Sequence, residues 1–176
     1  MKVFLNPGHD RYLDPGACAN GLEEAKVNWD VAKLVEGYLE CAGIEVVHVV
    51  QDDDLEHVCY TANQSDADIC VSIHCNSARN PLARGTETFA HSLQGPGAAL
   101  AIHVQTNIVS ELGTKDRGIK QANFLVLKQT IMPAILIELA FISNPEDAEL
   151  LKNKQEEFAL AIAKGIEDYA LKQIKS

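Results

Sequence analysis

The sequence predicts an α/β fold: a single-domain sandwich with a mostly parallel or mixed central sheet of about six strands, flanked by helices. Three observations predict it. The 176 residues are 47% hydrophobic, enough for one substantial core and too many for a disordered chain. Apolar segments of two kinds alternate from end to end, short β-rich runs and longer stretches with helical spacing. Repeats, low-complexity tracts and linker-like stretches are absent, so one domain over residues 1–176 is the simplest reading.

The elements follow in order. Lys2 to Leu5 is a short apolar run halted by Asn6-Pro7-Gly8, and it reads as a first strand instead of a secretory signal. Val27, Val31, Leu34, Val35, Tyr38 and Leu39 then share one helical face, with Gly43 placed to end the helix in a left-handed cap. Ile44 to Val50 is expected as a strand, Leu55 to Ser65 as a helix and Ile69 to Ile73 as a strand. Thr86 to Phe89, Phe124 to Leu127 and Ala134 to Leu139 complete the expected strands, most of them apolar throughout as strands covered on both faces are. Helices are expected at Gly97 to Leu112, Pro145 to Leu151 and Glu156 to Lys172. In the last, Phe158, Ile162, Ile166 and Tyr169 recur at spacings of three and four and should pack on the sheet.

Composition excludes several functions. A net charge of −10 argues against nucleic-acid binding, which needs clustered Lys and Arg. The longest basic cluster, Lys152 and Lys154, is followed at once by Glu156 and Glu157. No run approaches the roughly 20 apolar residues of a membrane span. The five cysteines are odd in number and form no Cys-x-x-Cys pair, a pattern of free thiols made in a reducing compartment and not of a structural zinc site. A domain of this length buries roughly 70% of its unfolded surface. It needs no metal merely to fold, so a metal would be functional.

Three apolar strands end alike, in Asn6-Pro7-Gly8-His9, in His74-Cys75-Asn76 and in Glu138. The crevice beyond the carboxyl ends of strands is the usual site position in open α/β sheets, so His9, His74 and Glu138 are expected to converge there. Glu24, three residues before Val27, can join them from the opening turn of the first helix. An acid in that turn also has a plain structural reading, since the helix dipole favours it, and the neighbouring Glu23 is a rival candidate.

These residues lie in blocks that resemble the third family of N-acetylmuramoyl-L-alanine amidases, over essentially the whole chain. The blocks are Asn6-Pro7-Gly8-His9 with Asp14-Pro15-Gly16-Ala17, Asn20-Gly21-Leu22-Glu23-Glu24 leading to Asn28, and Ala67 to Ser77 around His74. They continue with Gly85-Thr86-Glu87-Thr88, Lys115 to Lys120, and Pro133 to Pro145 around Glu138. The resemblance implies one Zn²⁺ held by His9, Glu24 and His74, with Glu138 as catalytic acid and base. It implies hydrolysis of the amide between N-acetylmuramic acid and L-alanine of peptidoglycan, in a cell wall reached through a longer protein, a partner or lysis. Three N/O ligands leave a fourth position open, as catalytic zinc requires.

Competing readings remain at this stage. Glu138, in an apolar run, is costly unless compensated, and a paired structural glutamate with Arg117 or Lys120 as partner is the alternative to catalysis. A zinc carboxypeptidase-like peptidase would use similar residues, and a non-catalytic wall-binding module would need a degenerate site. His48, His57, His91 and His103 lack metal-capable neighbours at ligand spacing and read as ordinary residues. Cys75 should point away from His74, its strand neighbour, and Cys18 reads as a small loop residue. Three departures from the family pattern stand out: Asp10-Arg11 replaces the usual Gly-Gly, and Gln51 and Val58 stand where arginines are common. Asp10 reads as an exposed loop acid, with orientation of His9 as its functional alternative. The loops Leu82 to Arg84 and Ser92 to Gly97 are expected as groove walls, with Arg84 or Arg117 meeting stem-peptide carboxylates.

Overall fold

In the computed structural model, residues 1–174 are described. The chain runs through β1 (Lys2–Pro7), a small ribbon of β2 (Cys18–Ala19) and β3 (Leu22–Glu23), α1 (Glu24–Cys41), β4 (Glu45–Val49), α2 (Leu55–Gln64) and β5 (Ile69–Asn76). It continues with β6 (Thr86–Ala90), α3 (Pro96–Leu112), β7 (Asp116–Gln121), α4 (Leu125–Lys128), β8 (Ala134–Phe141), α5 (Pro145–Asn153) and α6 (Gln155–Ile174). Six strands form one mixed sheet in the order β4-β1-β5-β8-β6-β7. The first four are parallel; β6 runs antiparallel to β8, and β7 runs parallel to β6.

Both faces are covered, which is why the central strands are apolar at successive positions. Val3, Leu5, Val71, Ile73, Ile135 and Ile137 pack into the larger core, which also holds residues of α1, α3 and α6 such as Val31, Leu100 and Phe158. The alternate residues Phe4, Cys70 and Leu136 meet Val58, Cys59 and Ala62 of α2 and Val126 and Leu127 of α4. Val58 is thus core, and each large side chain so buried is worth about 1.5–3 kcal/mol. Helix α1 ends as expected: Ala42 is the cap and Gly43 follows at φ 76.

Two expectations are corrected, and they cancel in the strand count. Phe124 to Leu127 is no strand; Leu125–Lys128 forms a single helical turn, because a four-residue apolar run has no period to tell strand from helix. The sixth strand is β7, whose residues Asp116–Gln121 have the sequence DRGIKQ. It lies at the sheet edge, where pairing on one side requires no apolar run. Strand β5 continues past its expected end at Ile73 and takes His74 into the ladder, while Glu138 lies inside β8, which runs on to Phe141.

Candidate metal centre and the glutamate beside it

The parallel strands deliver His9 and His74 to one end of the sheet, and the start of α1 delivers Glu24 to meet them. The Gly8 N–H donates to Ile73 O at 2.9 Å, extending β1 by one residue before the chain turns at His9. That turn gives His9 a φ of 65°, a left-handed conformation uncommon for a residue with a Cβ. Asn28 Nδ2 donates to Gly8 O at 3.2 Å, and Gln51 Nε2 lies 3.4 Å from Gly8 O and 2.8 Å from Ala25 O, so both side chains tie this turn to α1. Gln51 therefore has a local structural role at a position where an arginine is common.

Glu24 is buried. Its Oε2 accepts the Ala17 N–H at 3.0 Å and its Oε1 the Cys75 N–H at 3.1 Å. Oε1 also lies 3.2 Å from His9 Nε2 and 3.0 Å from His74 Nδ1. One nitrogen from each imidazole and one carboxylate oxygen all fall within 4.8 Å of one another, and the two rings meet edge to face at 5.3 Å. Glu23, the rival acid, is exposed and stands outside this group.

Glycine makes the fit possible. A Cβ on Gly8 would lie 2.0 Å from His74 Cε1, and one on Gly16 would lie 2.7 Å from His9 Cδ2 and 2.8 Å from Glu24 Oε2. The pocket favours positive charge. Burial alone would raise the Glu24 pKa, but hydrogen bonds from His74 and His9 hold it well below the usual carboxylate range. The hydrogen bond to Glu24, reinforced by Asp14, raises His9 to about 9. Two imidazole nitrogens and a carboxylate oxygen suit a borderline cation such as Zn²⁺ with an open fourth position.

Glu138 lies beside His74 in the β5–β8 register and directly opposite Glu87 in the β6–β8 register. Its Oε2 is sealed from solvent and has no hydrogen-bond partner. Burial first, then the charges of Glu24 and Glu87, raise its pKa to about 8. It faces a cavity of about 220 Å³ whose lining includes His74, Leu55, Phe124 and Leu136. The partners that a structural Glu138 would have needed belong to Glu87 instead: Arg117 Nε donates to Glu87 Oε2 at 2.6 Å, and Lys120 Nζ contacts the same oxygen.

The remaining candidates fall away from the centre. Cys75 is buried against Asn28 and its thiol pKa is pushed well above the ordinary value, chiefly by burial. Cys18 is exposed, with Sγ 3.7 Å from Gly16 O. His48 packs edge-on to Phe4, and His57 Nδ1 sits 2.6 Å from Asp52. Arg84 pairs with Glu146 on the exposed rim. The Leu82 to Arg84 loop enters β6 at the site end, but Ser92 to Gly97 cannot be a groove wall: β6 is antiparallel to β8 and carries that loop to the opposite end of the sheet. Asp10 spends its Oδ1 on the N–H groups of Tyr12 and Leu13, at 2.8 Å each. The acid against His9 is Asp14, at 2.7 Å; its place in the Asp14-Pro15-Gly16-Ala17 block was the available signal.

Comparisons with known proteins identify the family and the fold. The family model described as N-acetylmuramoyl-L-alanine amidase (Amidase_3) matches residues 3–168. LytC of Bacillus subtilis, an N-acetylmuramoyl-L-alanine amidase, is 36% identical over 95% of this chain, which spans 35% of that protein's length. YqiI of the same organism is 38% identical over 95% of this chain and 84% of its own. The crystal structure of an N-acetylmuramoyl-L-alanine amidase from Clostridium difficile 630 superposes with a TM-score of 0.88 at 36% identity, covering 96% of both chains. The chain belongs to the N-acetylmuramoyl-L-alanine amidase family.

Proposed function

We propose that residues 1–176 are a catalytic domain that uses one zinc ion to hydrolyse the amide between the lactyl group of N-acetylmuramic acid and L-alanine in peptidoglycan. The observation that carries this reading is the convergence of His9, Glu24 and His74 within 4.8 Å of one another, with the buried, unpartnered Oε2 of Glu138 beside them. His9, Glu24 and His74 would hold the ion. When bound, zinc supplies Lewis acidity, polarising the scissile carbonyl and acidifying water.

Glu138 takes a proton from the attacking water and passes it to the amine nitrogen as the C–N bond breaks, a role worth about 10²–10⁴-fold in rate. Its burial suits the task, since a carboxylate with raised proton affinity both accepts and returns a proton near neutrality. The two histidines and Glu24 are held by backbone and glycine packing, so the site is formed before substrate arrives. The substrate lies in the cell wall, outside the membrane. No described helix is long and apolar enough to cross a membrane.

Purified peptidoglycan, digested with and without a chelator and read by mass spectrometry of the released ends, tests the reading. Stem peptides with free L-alanine amines are expected, lost on chelation and in Glu138→Ala. Release of single C-terminal amino acids would indicate a carboxypeptidase-like peptidase, and binding without cleavage a wall-binding module. Full activity of a zinc-loaded Glu138→Ala protein would overturn the mechanism.

A further inference from the structure

The segment after His9 is built around a contact that the mechanism above does not use. His9 Nε2 faces Glu24, while Nδ1, on the other side of the ring, lies 2.7 Å from Asp14 Oδ2. We propose that Asp14 is a positioning residue for the metal centre, accepting the Nδ1–H of His9 and so leaving the Nε2 lone pair directed at Glu24 and the zinc position. The proposal rests on the reading of His9 as a zinc ligand.

The neutral imidazole carries one proton, and the partner of one nitrogen decides which nitrogen is free to ligate. Asp14 is itself fixed for this task. Its Oδ1 accepts the Gly16 N–H at 3.0 Å. Its backbone exchanges two hydrogen bonds with Asp10, at 2.9 and 3.1 Å, closing residues 10–14 into a hairpin. Asp10 holds the tip of the same hairpin through Tyr12 and Leu13. Arg11 lies over the Trp29 ring at 4.1 Å, anchoring the hairpin to α1.

The position of His9 explains why such a clamp is needed. His74 sits inside a strand, its ring pressed against the Cβ-less face of Gly8. His9 lies beyond its strand in a left-handed conformation, which surrounding contacts must impose. Gly16 confines one edge of the ring and Asp14 holds Nδ1. Asp14 does not belong to the donor group itself, because its oxygen meets the nitrogen that does not face Glu24.

The test is zinc affinity of metal-depleted protein, measured by competition with a chromophoric chelator for wild type, Asp14→Ala, Asp14→Asn and His9→Ala. Asp14→Ala is expected to weaken zinc binding about 10–100-fold. Asp14→Asn, whose amide oxygen still accepts the proton without the charge, should fall between it and wild type. In zinc-loaded wild type, nitrogen NMR of His9 should show the proton on Nδ1.

Asp14→Ala and Asp14→Asn binding zinc within about twofold of wild type, while His9→Ala binds far more weakly, would overturn the role of Asp14 alone. His9→Ala binding as wild type would overturn the zinc reading and this proposal together. Should Asp14→Ala fail to fold, the Asn variant and the wild-type tautomer still decide: a proton on Nε2 of His9 in the loaded protein overturns the assignment.

Discussion

Glu87 and Glu138 face each other across the β6–β8 ladder, two glutamates in one layer of one sheet with opposite surroundings. Glu87 is 4% exposed and saturated: Asn76 Nδ2 donates to its Oε1 at 2.7 Å, while Arg117 and Lys120 meet its Oε2. Burial by itself would raise its pKa, and those two cations reverse the outcome and lower it. Glu138 has an orphaned oxygen and a pKa raised to about 8. Identical side chains at neighbouring points thus divide into an acid neutralised by cations and one left with an orphaned oxygen, and the division is made by Arg117 and Lys120 of β7.

The sharpest way to break this comparison is to replace Glu138. Glu138→Gln should lower hydrolysis of purified peptidoglycan by about 10²–10⁴-fold. It should also raise stability by about 0.5–2 kcal/mol in denaturant unfolding, since a buried carboxylate oxygen without a partner is removed. A loss of stability instead would mean that Glu138 is paired after all. Glu87→Ala should do the reverse, costing about 1–3 kcal/mol. That is less than for a fully buried pair, because Arg117 and Lys120 keep 28% and 39% of their side-chain surface in water.

A pH series sharpens the same contrast. The lowered pKa of Glu87 means that its charge stabilises the fold above the unfolded value near 4.3, and that this contribution is lost as pH falls through the folded value. The stability gap between wild type and Glu87→Gln should therefore be full at pH 7 and shrink below about pH 4. A gap that grew on acidification would have the wrong sign. The smallest effect is expected at Arg84, whose pair with Glu146 is largely exposed. Arg84→Ala should change stability by no more than about 0–1 kcal/mol, and an unchanged Michaelis constant would remove Arg84 from substrate binding.

The sequence made the candidate site residues legible because each polar group interrupts an apolar pattern: His9 just past a strand, His74 and Glu138 within apolar strands, and Glu24 at a helix start. The two-sided sheet was legible for the same reason, its strands being apolar on both faces. What stayed hidden was relational. Nothing local to Arg117 or Lys120 says that they choose Glu87 over Glu138, because that depends on register. Asp10 and Asp14 both lie within five residues of His9, and only the hairpin decides which one reaches its ring. Strand β7 is illegible because a polar edge strand has no apolar signature, and the side on which Ser92 to Gly97 emerges depends on the direction of β6.

That reversed direction sorts the loops by what they can tolerate. The connection into β6 is bolted to the site end: Asp147 accepts the Gly85 and Phe141 N–H groups at 2.7 and 2.8 Å, and Asn144 holds Pro81 O. The connection out of β6, residues 91–95, is exposed throughout and lies at the far pole of the sheet. Lengthening the first would reshape the crevice, whereas the second is a natural graft point, where a tether or inserted module would leave the catalytic end untouched.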